Sequence, residues 1–222
     1  MRCRRTVRIL LFLGLLRALG TAVLAQNGAG TPDAAGVNET LLDATGPYED
    51  MVGPALGGNA KNIAKLLSDA DAQADGVKKV LPPEAAEQFD GLLKSIHKTF
   101  DAKSYKSVAQ NAVAVFRLLV DNLKTDALKI PREVSLLDYA GYQLEVLAAA
   151  EKPDWDAMKK VAADAEKWWN TSAPRISDKN LRATVTSTIR GIKQATEEQN
   201  LAMVKFAARI DLDLVDLLEG AF

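Results

Sequence analysis

The segment from Glu198 to Glu219 constrains the fold more than any other part of the chain, because it is apolar around much of a helical circumference. At about 100° per residue its apolar side chains share one broad arc, which is typical of a helix buried in a core. We expect the buried arc to contain Met203, Phe206, Ala207, Ile210, Leu214, Leu217 and Leu218, widened by Val204, Ala208 and Val215. Asp211 lies inside this arc, so the sequence also predicts a buried carboxyl group.

Helical spacing extends over the chain from Tyr48 onward, and no segment alternates with the period of two that is typical of strands. Gly and Pro pairs such as Gly57-Gly58 and Pro82-Pro83 separate the helical segments. The pattern predicts helices over about 59–79, 83–100, 104–124, 131–150, 154–171, 178–196 and 200–219, with a short one near 47–56.

Four helix starts share one signature. Asn59, Ser104, Asp154 and Asn200 each precede an apolar residue that recurs three positions later, as at a capped helix N-terminus. These residues are 45, 50 and 46 positions apart, so the chain reads as successive αα-hairpins. We therefore predict an all-α, antiparallel helical bundle, because short connections favour neighbouring helices around one core. A short α-solenoid is the alternative.

The first 25 residues have the features of a cleaved secretory signal peptide. A start rich in arginine leads into the apolar stretch ILLFLGLL, and Val23 and Ala25 supply the small residues of a cleavage site before Gln26. An uncleaved membrane anchor is the rival interpretation. Arg17 argues against it, because a span needs about 20 apolar residues. We expect a flexible leader over 26–46, rich in Gly, Ala, Asn and Asp, and a single domain over 47–222.

Removal of the signal changes both charge and cysteine content. Loss of five arginines from 28 basic residues leaves 23 against 29 acidic ones, a formal charge of −6, which argues against a nucleic-acid partner. Cys3 is the only cysteine and leaves with the signal, so the mature chain has no disulfide, no thiolate metal site and no lipoprotein anchor. These features predict a periplasmic or secreted protein without a stable membrane anchor.

His97, the only histidine, is the one candidate for a cofactor ligand. At the edge of an apolar helix face it could bind a b-type haem, with Met51, Met158 or Met203 opposite. The other interpretation is a boundary histidine half in water.

A carboxylate metal site is a further hypothesis. Asp138 and Glu145 share a helix face with Gly141, and Asp211 supplies a third acid. The Glu-x-x-His motif of di-iron bundles is absent. The alternative places Asp138 and Glu145 on a solvated face and makes Asp211 a structural acid, paired with a tyrosine hydroxyl or an arginine. We favour that structural pairing.

Aromatic residues give a candidate partner-binding surface. Trp155 and Trp169 fall on the apolar face of their helix, whereas Trp168 lies towards its edge, where Trp can anchor an interface. Tyr139 and Tyr142 on the preceding helix could form an aromatic groove with Trp168. A partly covered rim residue is the simpler interpretation of Trp168.

The sequence carries no motif of a known catalytic site: GxSxG, HExxH and a phosphate-binding glycine loop are all absent. We therefore predict an exported, non-catalytic binding or interaction protein, with a protein or small ligand of the periplasm as its partner. The alternative is a helical bundle that carries a metal ion or haem.

Overall fold

Eight helices make up the architecture of residues 33–222, the part of the chain that the computed structural model describes. No strand occurs in this part, and the predicted all-α bundle of successive hairpins is confirmed. The predicted signal peptide and residues 26–32 of the predicted leader lie outside it. The helices are α1 (Ala34–Leu56), α2 (Ala60–Val80), α3 (Pro83–Asp101), α4 (Tyr105–Asp121), α5 (Arg132–Ala148), α6 (Trp155–Ser172), α7 (Lys179–Glu197) and α8 (Leu201–Glu219).

The predicted flexible leader is wrong from Asp33 onward, because Asp33 caps α1, which begins at Ala34 and is 23 residues long. The Asp33 carboxylate caps the helix by accepting a hydrogen bond from the Gly36 amide at 2.7 Å. Val37, Leu41 and Ala44 are buried in the core. The segment is therefore a full structural helix, and the domain begins well before residue 47.

Helix α1 continues through two prolines, which a helix interior usually does not tolerate. Pro47 and Pro54 each remove a helical hydrogen bond, which usually breaks or kinks a helix. Each follows a glycine, Gly46 or Gly53, which has no Cβ to clash with the proline ring. Tertiary packing of α1 against α2 and α4 outweighs the remaining cost.

The helices close into two groups of four. In the first group α1 contacts α2 and α4, and α3 contacts both α2 and α4. In the second, α5 contacts α6 and α8, and α7 contacts both α6 and α8. Because the first helix of each group packs on the fourth, each group closes on itself as a bundle does, which an open solenoid would not.

Helix α5 joins the two groups and contributes to two hydrophobic clusters. Its Leu136, Tyr142 and Val146 pack in the cluster of α1–α4, whereas Leu137 and Leu144 pack in the cluster of the second group. A helix that is apolar on opposite faces is a buried one. The chain reaches α5 through a 3-10 turn at Thr125–Ala127.

The start of that connection is fixed by a buried side chain of α1. The Asn38 amide nitrogen donates to the Lys124 carbonyl at 2.9 Å, and its oxygen accepts from the Lys124 amide at 2.7 Å. Both backbone groups of Lys124 are thereby satisfied, as a partly buried turn requires.

The two groups repeat the same local geometry at a spacing of 95–96 residues. All four predicted capping residues stand directly before a helix: Asn59 before α2, Ser104 before α4, Asp154 before α6 and Asn200 before α8. Lys103 and Gln199, one position before Ser104 and Asn200, are both left-handed with φ 55°. The chain therefore turns in the same way between α3 and α4 as between α7 and α8.

Helices α4 and α8 also match in which positions they bury. Residues 96 apart are buried on both helices at five positions. These pairs are Val108 and Val204, Ala112 and Ala208, Val115 and Asp211, Phe116 and Leu212, and Leu119 and Val215. Helix α8 is thus the counterpart of α4, with a carboxyl group where α4 has a valine.

Candidate functional site

The sequence prediction for α8 is correct for seven of the ten residues expected in the apolar arc, six of them buried and Ile210 half-buried, and it is wrong for the other three. Its buried side is centred on Val204, Ala208, Val215 and Leu218, with Leu212 also fully buried. Three residues expected inside, Met203, Phe206 and Leu217, are exposed instead. The physical reason is that the apolar arc of α8 is wider than the surface that packs on α5 and α7, so its periodicity alone does not decide which edge of the arc stays exposed.

These three exposed residues and the half-buried Ile210 make up what we call the α8 stripe: Met203, Phe206, Ile210 and Leu217. Their spacings of three, four and seven place them on one side of the helix. Phe206 and Leu217 are 61% and 60% exposed and Met203 is 46% exposed, whereas Ile210 is half-buried against the second cluster. Sequence reasoning missed this surface.

A signal for the stripe was present in the hairpin repeat. The counterparts of Met203, Phe206 and Leu217 on α4 are Ser107, Gln110 and Asp121, which are polar. Aligning the two helices would have placed apolar residues of α8 at solvent positions.

Asp211 is buried as predicted, with no exposed surface. Neither carboxyl oxygen has a hydrogen-bond partner among the described residues, so the favoured structural pairing with a tyrosine or an arginine is wrong. Burial disfavours the charged form and raises the pKa of Asp211 from 3.8 to about 8. The group is therefore mainly protonated at neutral pH.

The other two proposed metal ligands lie on α5. Glu145 approaches the Arg209 Nε of α8 at 3.7 Å, and Asp138 is buried. The solvated face offered as the alternative is therefore wrong for Asp138, whereas Glu145 is partly exposed. Within residues 33–222 no three His, Cys, Asp or Glu side chains are grouped closely enough to hold a metal ion, so the structure does not bring Asp138, Glu145 and Asp211 together.

His97 lies on α3 at the surface, where its Nε2 is 2.9 Å from the Asp71 Oδ1 of α2. Both side chains are 44% exposed. Of the methionines suggested as opposite haem ligands, Met51 and Met158 are fully buried and Met203 is exposed. The histidine is half in water, as its simpler interpretation had it, and haem binding stays a prediction.

The predicted aromatic surface is formed in part. Tyr139 and Trp168 meet edge to face with ring centroids 6.2 Å apart, and both are half-buried. The Arg117 guanidinium lies 4.9 Å from the Tyr139 ring and 5.1 Å from the Trp168 ring, and its Nε donates to Asp121 at 2.6 Å. Burial is the main cause of the raised pKa of Tyr139. The cluster ties α4 to α5 and α6.

Tyr142 does not belong to that surface. It is buried and packs edge to face on Phe116, with centroids 6.1 Å apart, so the predicted groove of three aromatics is wrong at this residue. Trp169 is buried as expected, and its indole nitrogen donates to Thr186 at 2.9 Å. Trp155 is only partly buried against the second cluster.

Among the described helices, none combines the length and the apolar character that crossing a membrane requires. Comparison of the chain with protein-family models, with curated proteins and with solved structures found no match.

Proposed function

We propose that this protein is exported and acts without catalysis, by contact with another protein through the α8 stripe. The observation that carries the proposal is the exposure of Phe206 and Leu217, large apolar side chains on the same side of one helix. Exposed apolar residues that occur singly are normal, whereas a contiguous patch marks a contact surface. Phenylalanine and methionine are also enriched in the cores of protein interfaces.

The composition of the stripe supports a protein partner over a small polar ligand. Its four members are all apolar, and Ile210 connects them to the second cluster. A flat apolar helix face offers contact area but no enclosing walls, which a small-molecule site needs.

The Arg117, Tyr139 and Trp168 cluster is a weaker candidate for the same role. Its two rings meet edge to face, and the guanidinium of Arg117 lies over both of them. These groups already satisfy one another within the chain. The α8 stripe has no such cover among the described residues, so it is the surface with more to gain from a partner.

Export is supported by the basic and apolar pattern of residues 1–25, which ends at Ala25. N-terminal sequencing of protein recovered outside the cytoplasm tests this part of the proposal. A mature chain that starts at Gln26 is the expected result. Retention of residues 1–25 on protein held in the membrane fraction would contradict it.

Site-specific crosslinking in the cells that make the protein tests the contact surface. A photo-reactive amino acid replaces Phe206, and the matched control replaces Gln110, the exposed counterpart on α4. The expected result is a discrete adduct from position 206 alone, identified by mass spectrometry and lost in Leu217→Glu. Equal adducts from both positions, or none from position 206, would overturn the proposal.

A further inference from the structure

We propose that the partner at the α8 stripe is a second copy of this chain, packed so that the two α8 helices run antiparallel about a two-fold axis near Ile210. This inference rests on the proposed function, which it makes specific. It is carried by the placement of apolar and charged residues along α8.

The apolar residues of the stripe are arranged symmetrically about that axis. Met203 and Leu217 lie seven residues on either side of Ile210. In an antiparallel pair, Met203 of each copy therefore meets Leu217 of the second copy, and Ile210 meets its own symmetry mate. Such an isologous contact uses the same surface twice.

The charges beside the stripe select the antiparallel arrangement. Lys205 and Arg209 carry positive charge in the N-terminal half of α8, and Asp213 and Asp216 carry negative charge in its C-terminal half, on the same flank. Antiparallel packing places Lys205 of one copy opposite Asp216 of the second. Parallel packing about a two-fold axis would place the charged flanks of the two copies on opposite sides of the contact, so these charges would not pair.

The same flank excludes a different mode of assembly, in which α8 would pack on a neighbour as α4 packs on α5. Helix α4 buries Ala109, Val113 and Val120 in the first cluster. The residues 96 positions later on α8 are Lys205, Arg209 and Asp216, all exposed. Arg209 also approaches Glu145 of its own chain. This charged side of α8 is therefore exposed to solvent and does not pack on a further helix. The α8 stripe beside it is the side of the helix that can pack against a second copy.

The expected dimer is weak. Helix α8 has 19 residues, and at 1.5 Å per residue it is about 28 Å long. A contact of one such helix on another falls at the small end of the interface sizes seen for transient complexes. We expect a monomer–dimer equilibrium in the micromolar range, visible by sedimentation velocity of the exported protein between about 1 and 100 µM.

Substitution in the stripe should weaken the dimer without unfolding the chain. Phe206→Glu places a charge at the contact and is expected to raise the dissociation constant at least about tenfold. Because Phe206 is exposed, the melting temperature of the monomer should not change. Gln110→Glu on α4 is the matched control and should leave association unchanged. A wild-type protein that stays monomeric at 100 µM would overturn the inference.

Charge reversal tests the orientation. Lys205→Glu and Asp216→Lys should each weaken association, and the double variant should restore most of it, because the reversed charges again face each other across the axis. Failure of the double variant to recover would contradict the antiparallel pairing.

Engineered cysteines give a second measure of orientation. Ile210→Cys lies near the axis and should form a disulfide between two copies on mild oxidation. Met203→Cys lies about 20 Å from its own symmetry mate and should not, since seven residues on each side of the axis separate the two. Wild-type protein treated in the same way is the control, because it shows any crosslinking through Cys3, the only natural cysteine. Efficient crosslinking through Met203→Cys would overturn the model of packing.

The outcomes also separate this inference from the proposed function. A monomeric protein whose position 206 crosslinks to a different protein would end the inference and leave the proposed function standing. A monomeric protein that gives no adduct from position 206 would end both.

Discussion

Asp211 of α8 occupies the position that Val115 occupies on α4, and both side chains are completely buried. Val115 packs in the first hydrophobic cluster. The Asp211 carboxyl group has no hydrogen-bond partner among the described residues. The second group of helices therefore holds an acid at a position where the equivalent helix uses a valine, and burying such a group without compensation costs free energy.

Replacement of this acid should stabilise the protein. Asp211→Val removes an unpaired polar group from the core and supplies the side chain found at the equivalent position of α4. We expect the free energy of unfolding at pH 7 to rise by about 2 kcal/mol or more, measured by urea denaturation.

The reciprocal substitution is the control. Val115→Asp places an acid at the same helix position in the first group and should destabilise by several kcal/mol. A loss of stability on Asp211→Val of about 3–5 kcal/mol would instead mean that the carboxyl group has a charged partner in the folded protein.

The same group should make stability depend on pH. The pKa of Asp211 is about 8 in the folded protein and close to 3.8 when the chain is unfolded. Between these values the folded state holds a proton that the unfolded state has released, so stability falls as pH rises. The slope due to this group approaches about 1.4 kcal/mol per pH unit, and it levels off below pH 4 and above pH 8.

Asp211→Asn isolates that effect, because it keeps the shape of the side chain and removes the titration. Unfolding is measured for both proteins at several pH values from 4 to 9. We expect wild type to lose stability relative to Asp211→Asn across this range. A constant difference between the two would show that the folded and unfolded pKa values are the same.

Local signals in the sequence predicted much of the fold. A capping side chain acts on the amide three residues away, as Asp154 does on Ala157, so its effect is visible in a short window. The start of α1 was missed because the segment before residue 47 is rich in Gly, Ala, Asn and Asp, which is typical of a flexible leader, whereas the packing that orders it comes from α2 and α4.

Which side of α8 is buried could not be predicted from the periodicity of its apolar residues alone. Met203 and Phe206 are as apolar as the residues that pack, and the choice of side depends on how small residues such as Ala208 allow α5 to approach. Gly141 of α5 makes this approach possible: a Cβ there would lie 3.4 Å from the Ala208 carbonyl oxygen. Shape complementarity between two helices decides such cases, and a single helix does not show it.

Gly141 should tolerate no larger residue. A Cβ at this position would lie 2.6 Å from Leu212 Cδ2 and 2.7 Å from Leu212 Cγ. Leu212 is fully buried and has little room to move. We expect Gly141→Ala to destabilise by about 1–3 kcal/mol in thermal or urea unfolding, although alanine is the better helix former.

Gly91 in α3 provides the matched comparison. It is exposed, and a Cβ there would contact nothing within 4 Å. Gly91→Ala should therefore stabilise by up to about 1 kcal/mol through helix propensity. Equal effects of the two substitutions would show that α5 and α8 do not approach as closely as the structure has them.

The equivalent turns before α4 and α8 give the last prediction. Lys103 and Gln199 both have φ 55°, where the Cβ of an L-residue is strained and glycine is not. In each turn the next residue donates a backbone hydrogen bond to the carbonyl five residues earlier, from Ser104 to Thr99 at 2.8 Å and from Asn200 to Ala195 at 2.9 Å. Because these bonds hold both turns in the same conformation, Lys103→Gly and Gln199→Gly should each stabilise by about 0.5–1 kcal/mol in urea denaturation.

Ala102→Gly, at a neighbouring residue with φ −74°, should destabilise instead, since glycine there only adds freedom to the unfolded chain. Opposite signs for the two turn substitutions would show that the two groups of helices do not share this geometry.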